Sequence, residues 1–308
     1  MTAVTTTPAE PRRGQPPQRV PLTSGSSRVL WDEFGRITMS FQLAPGFLLA
    51  CMHPDFSVVA EQSGGGRFRT DPTGRAARAA ATVLTTVYGG AEALAEGERL
   101  RAAHRGLSAV NENGTTVHAL SAGVWAWVAH ATVYSAIARL EYFEPGLNNA
   151  ELEQFYASDA VPMLRLLRVA PRQIPATYRE WRDRFDAFVA EGLEATVTAR
   201  DYWQVIGNLP APAALPAPLR VLWPVAVAPY RRLLVFAARG MLPPGARARL
   251  GLVWTDGDER RLRLIGRAVG RAVAMLPERL SYLPIAFEAR RADHATRALH
   301  TVLAARPR

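Results

Sequence analysis

Apolar residues recur along this chain in blocks with a three-to-four-residue beat and almost nowhere in strict alternation, a pattern that predicts helices rather than strands. The first block, Ile37 to Val59, is interrupted at Pro45-Gly46 and His53-Pro54 and reads as short helices joined by turns. Asp71-Pro72-Thr73 then offers a helix entry and Gly89-Gly90 an exit, since proline suits a first helical turn and glycine a last one. Between them Arg75, Arg78 or Ala79, Thr82 and Thr86 share one polar face of an otherwise apolar helix.

A second helix is predicted from Ala91 to Leu107, with His104 on the inward stripe of Leu100 and Leu107 and with Arg101 and Arg105 flanking it. Asn111-Glu112-Asn113-Gly114-Thr115 reads as a turn, and the next helix starts near Ser121. From Val124 to Leu140 that helix is apolar or small on nearly every face, as a buried helix is. His130 therefore lies inside, one turn after Trp127 and one before Tyr134. Further helices are expected at about 149–169, 175–198, 219–240, 247–254 and 258–275, with no internal repeat. The fold class expected is all-α, with residues 1–27 a disordered tail, Gly64-Gly65-Gly66 a flexible loop and 28–308 a single domain.

Composition changes this picture mainly by what it removes. The chain has thirty-seven arginines and no lysine, so a Schiff-base lysine and a Walker-type phosphate loop are both excluded. The formal charge of +10 raises nucleic acid as a partner, but the arginines are dispersed and interleaved with acids, as in Asp258-Glu259-Arg260-Arg261, so no nucleic-acid partner is expected. One cysteine, Cys51, rules out an intramolecular disulfide and suits a reducing cytoplasm. Gly14-Gln15-Pro16-Pro17 follows Arg12-Arg13 where an export signal would be apolar, and the stretch Leu219 to Ala238 is cut by Pro224, Pro229 and Arg231-Arg232. A cytoplasmic protein with no transmembrane segment is expected.

Neither a Gly-x-Gly-x-x-Gly fingerprint, a His-Glu-x-x-His motif nor a nucleophile elbow occurs, so nicotinamide, zinc and serine-hydrolase chemistry lack support. A haem needs one buried neutral imidazole, apolar helices around it and cations for its carboxylates. The chain supplies each of these, although an inward histidine is as readily a hydrogen-bonded core residue.

The order of motifs is more specific than its parts. Cys51-Met52-His53-Pro54 and Ala60-Glu61-Gln62-Ser63 precede the Arg75 helix ending Thr86-Val87-Tyr88-Gly89; then come Arg99-Leu100-Arg101-Ala102-Ala103-His104, Trp127-Val128-Ala129-His130-Ala131-Thr132 and Leu242-Pro243-Pro244-Gly245-Ala246-Arg247. This resembles the haem-dependent oxygenase superfamily of latex clearing protein and the mycophenolic-acid pathway's prenyl-cleaving oxygenase, over about residues 29–290.

The resemblance implies a globin-like helical core with additional C-terminal helices and haem b bound through one histidine. It assigns the metal to His104, makes His130 a pocket residue or the alternative axial ligand, and makes Arg75 and Arg101 cofactor-binding cations. The family's distal Arg-x-x-Lys-Thr element corresponds to Arg75-Ala76-Ala77-Arg78-Ala79, so Arg75 and Arg78 are catalytic candidates, with Glu61 matching an upstream acidic base. The implied activity is oxidation of a hydrophobic small molecule by oxygen or peroxide, with an electron donor as a further partner, in a natural-product tailoring step: hydroxylation, desaturation, oxidative coupling or C=C cleavage. A haem carrier or sensor without turnover is the alternative.

Overall fold

The structure, a computed structural model, describes residues 29–63, 67–212 and 215–304. The expected tail and the Gly64-Gly65-Gly66 loop lie outside them. The chain is predominantly helical: α1 Val29–Glu33, α2 Met39–Cys51, α3 Pro54–Gln62, α4 Arg67–Thr70, α5 Pro72–Tyr88 and α6 Glu92–His104. A small hairpin, β1 Ser108–Val110 with β2 Thr116–His118, leads into α7 Ala122–Phe143. Then follow α8 Asn149–Phe155, α9 Val161–Leu166, α10 Tyr178–Glu191, α11 Val197–Asn208, α12 Ala217–Ala226 and α13 Ala228–Met241. The last elements are α14 Pro244–Arg249, α15 Asp256–Ala274, α16 Glu278–Ser281 and α17 Pro284–Ala304.

Helix α7 is the axis of the molecule, and α2 packs along it. Trp127 Nε1 donates to the Leu49 carbonyl at 2.8 Å, Phe41 stacks on Phe143, and a β-carbon at Gly46 would lie 2.7 Å from Ser135 Oγ. Close approach at that glycine explains why α2 runs unbroken through Pro45-Gly46, where turns were expected: packing against α7 outweighs the hydrogen bond that proline removes. The other expected break, at His53-Pro54, is present, and α2 and α3 meet there at 93°. Near the C-terminal end of α7, α15 rests on it through Gly266 and Gly270, whose β-carbons would collide with the carbonyl oxygens of Tyr142 and Phe143.

The ends of α5 follow the sequence. Asp71 accepts from the Gly74 N–H as N-cap, Pro72 opens the first turn, and the helix stops at Gly89 before Gly90 at φ +56°. Helix α6 ends at His104 rather than Leu107, because Leu107 turns inward to a small cluster with Val59, Ala109 and Val117 that the hairpin covers. The expected turn at Asn111 closes this hairpin: Asn111 Oδ1 accepts from the N–H groups of Asn113 and Thr115. The expected helix over 149–169 is interrupted by a π-turn at Tyr156–Ala160, just before Pro162, whose missing N–H weakens a regular ladder. The expected helix over 219–240 is bent by 53° at Val227.

Candidate functional site

The two histidines singled out in the sequence differ in how their ring nitrogens are engaged. His104, on the last turn of α6, extends the stripe Ala93, Gly97 and Leu100; Gly97 sits against Leu166 of α9. Its Nδ1 lies 2.8 Å from the Leu100 carbonyl oxygen. A carbonyl only accepts, so Nδ1 carries the proton, and the neutral ring keeps its lone pair on Nε2. Among the described residues no hydrogen bond engages that Nε2. The ring meets Trp125 edge-on at 5.5 Å, and the Arg101 guanidinium lies 5.6 Å from the same indole.

His130, in the middle of α7, has both nitrogens engaged. Trp181 Nε1 donates to Nδ1 at 3.1 Å, and Nε2 donates to the Gln173 carbonyl at 2.9 Å. Burial holds its pKa below the usual histidine value, against the backbone hydrogen bond to Gln173. Trp181 belongs to an aromatic cluster in which it, Trp127 and Tyr134 each pack against Phe185.

Arg75, on the first turn of α5, points inward. Its guanidinium lies 3.5 Å from the centroid of the Phe47 ring, and Phe47 in turn meets Phe56 and Tyr202 edge-on. Among the described residues Arg75 has no carboxylate or carbonyl partner. Burial pulls its pKa down, with Cys51 and Tyr202 among the groups that oppose the shift. Cys51 is fully buried, and burial pushes its thiol far above the usual range, so it stays protonated.

The short Gly89–Ala91 link folds α6 back along α5, and Arg99 Nη2 donates to Thr82 Oγ1 between them at 3.1 Å. Helices α5 and α6 thus form an antiparallel helical hairpin, so the first turns of α5 and the last turn of α6 lie at one end. Arg75 and His104 are thus on neighbouring helices at the same end of the hairpin, and Arg101 joins His104 at Trp125.

The other two candidates go elsewhere. Arg78 is exposed and pairs with Asp71, the N-cap of its own helix. Glu61 accepts from Thr198 Oγ1 and from Arg69, which also holds Asp201. Partial burial would raise the Glu61 pKa, but these hydrogen bonds hold it below the usual carboxylate value.

Two features escaped the sequence. Arg139, the one arginine of α7, is fully buried and donates to Gln42 Oε1, Thr38 Oγ1, Glu144 Oε1 and the Glu33 carbonyl; its isolation in an apolar helix was the available signal. His53 occupies the N-cap position of α3 at the sharp bend without a side-chain capping bond, lies tilted against Phe188, and has a buried Nδ1 without a hydrogen-bond partner. A cleft of about 560 Å³ lined by Val161, Arg165, Arg168, Val169, Ile174 and Pro175 contains none of the candidate residues.

A family model described as "ER-bound oxygenase mpaB/B'/Rubber oxygenase, catalytic domain" matches residues 31–271. Neither a search of curated proteins nor one of solved structures finds a match.

Proposed function

Because the chain belongs to the catalytic-domain family of the mpaB/B' and rubber oxygenases, we propose that it is a haem b-dependent oxygenase of a hydrophobic small molecule, in which His104 would hold the iron. What carries this reading is the contrast between the two histidines: the Leu100 carbonyl fixes the His104 tautomer and leaves Nε2 available, whereas Trp181 and Gln173 occupy both nitrogens of His130. A ligand histidine that donates its other N–H to a backbone carbonyl is oriented and made more basic by that bond. One such nitrogen is the donor set expected for a metal carried in a macrocycle, not for one held by side chains alone.

When bound, haem b supplies an iron that activates oxygen or peroxide. The chain's own residues do the rest. Arg75 places a cation without a carboxylate partner against the wall of Phe47, Phe56 and Tyr202, where it can orient an anionic or dipolar group while the rings exclude water. Arg101 beside His104 offers a cation for a haem carboxylate. Cys51, buried and protonated, does not offer a thiolate, so histidine-ligated chemistry is the one supported. His130 is a structural residue of the aromatic cluster, Glu61 clamps α3 to α4 and α11, and Arg78 pairs with the N-cap of its own helix. Natural-product tailoring remains the proposed setting; hydroxylation with oxygen would draw on an electron donor, whereas peroxide chemistry or alkene cleavage by dioxygen would not.

The test is an ultraviolet-visible spectrum and pyridine haemochrome assay of the purified chain after haem reconstitution. One haem b per chain with a histidine-ligated spectrum is expected, and a colourless protein overturns the proposal. Product formation from hydrophobic candidates then separates an oxygenase from a haem carrier or sensor.

A further inference from the structure

Helix α12, Ala217–Ala226, contains no buried residue, yet it is strongly apolar. Leu219, Val221, Leu222 and Val225 are 50%, 78%, 61% and 79% exposed. At the helical step of about 100° per residue these four span an arc of roughly 160°, with Pro218 and Ala226 inside it. Trp223, just outside the arc, ties the helix down by donating from Nε1 to the Leu209 carbonyl at 2.9 Å. Single exposed apolar side chains are ordinary on protein surfaces, but a contiguous face of them marks a contact site. A ten-residue helix with so little buried is also marginal in water by itself.

The charge around this face says what covers it. From Tyr202 to Thr255 there is no Asp or Glu, while six arginines occur at 220, 231, 232, 239, 247 and 249. Arg220 lies on α12 outside the apolar arc, and Arg231 and Arg232 follow on the first turn of α13, just past the 53° bend. Arg220 and Arg231 donate to the backbone carbonyls of Leu215 and Asn208, and Arg232 is exposed. An apolar arc bordered by arginines in an acid-free segment combines the two attractions of an interfacial helix: burial of the apolar side chains at the acyl boundary and attraction of the cations to anionic headgroups. Among the described residues no single helix is long and apolar enough to cross a membrane, and α12 and α13, which together carry an apolar stretch of that length, are bent by 53° between them.

We propose that α12 and the first turn of α13 form a docking surface for an anionic lipid bilayer, on which α12 lies in the plane of the headgroups with Leu219, Val221, Leu222 and Val225 inserted. This goes beyond the oxygenase reading and is independent of haem. The docked segment leads into α13, which packs on α2, the helix that carries Phe47, so the same geometry sets the enzyme's core beside a source of apolar molecules.

The test is co-sedimentation of the full chain with sucrose-loaded vesicles of phosphatidylcholine alone or mixed with phosphatidylserine, with sedimentation velocity and binding of a labelled RNA in parallel. Preference for the phosphatidylserine vesicles, weakened by salt, is expected. Val221→Asp/Val225→Asp should lower partitioning by about tenfold or more and Arg232→Glu by about fivefold or more, with unchanged circular dichroism because all three positions are exposed. Equal sedimentation with both vesicle types, or undiminished binding by the double variant, overturns the proposal. So does a dimer that the double variant abolishes without any vesicle binding, which assigns the face to a second copy. RNA binding that Arg232→Glu abolishes, again without vesicle binding, overturns it in the same way.

Discussion

Trp181 Nε1 donates to His130 Nδ1 across 3.1 Å, from α10 to the centre of α7. With the Gln173 carbonyl on the other nitrogen, His130 joins two segments of the chain through one neutral ring. His130→Ala leaves the Trp181 N–H and the Gln173 carbonyl without a partner, at a cost of about 2–4 kcal/mol. Chemical denaturation should show that loss, while the variant retains haem at low temperature. Loss of haem with unchanged stability would instead place His130 on the metal.

The same bond sets a pH dependence. Burial lowers the His130 pKa in the folded protein, whereas the unfolded chain titrates near the ordinary value of about 6.5. The unfolded state therefore binds more protons below that value, so stability falls as pH drops through about 6.5 and levels off only below the folded pKa. Protonation also removes the acceptor for Trp181. His130→Asn should flatten the fall in Tm between neutral and mildly acidic pH. His53, whose pKa burial also lowers, is expected to leave a residual slope in that variant.

Arg75 separates activity from stability. A half-buried arginine whose guanidinium lies on the Phe47 ring without a carboxylate partner gains less from its surroundings than a paired one. Arg75→Met fills similar space without the charge, so Tm should hold or rise and haem should be retained. Turnover should fall by about tenfold or more, the loss typical of removing a preorganised electrostatic group. Parental turnover in this variant would remove Arg75 from the chemistry.

The packing of α15 on α7 depends on the absence of a side chain at Gly270, where a β-carbon would collide with the Phe143 carbonyl oxygen. Backbone cannot rotate away as a flexible side chain can, so Gly270→Ala should cost about 3 kcal/mol. A lower denaturation midpoint checks this, with the helical signature of the native state preserved.

Local signals carried the legible part of the fold. Asp71-Pro72 and Gly89-Gly90 mark the ends of α5 because capping and positive φ are properties of single residues. The all-round apolar pattern of α7 likewise reads directly as burial. Where tertiary packing decided, the sequence was ambiguous: α2 runs through Pro45 because α7 supports it, and the expected helix over 175–198 stops at Glu191, with Thr196 capping α11 in its place. Helix α17 lies beyond the last expected helix, which ended at residue 275.

The site divides in the same way. His104 and Arg75 could be named from helical spacing and motif order. That His130 has no free nitrogen could not be, because its partners lie 43 and 51 residues away. The surface pairing of Arg78 with the capping Asp71 seven residues before it is a same-face contact two helical turns apart.

The most direct measurement replaces His104 with glycine and records the Soret absorption of the haem-reconstituted protein with and without added imidazole. On the reading that His104 Nε2 would hold the haem iron, His104→Gly loses the histidine-ligated spectrum and imidazole restores it, while His130→Gly keeps the parental spectrum without additive. A His104→Gly protein that binds haem with the parental spectrum in the absence of imidazole contradicts the account.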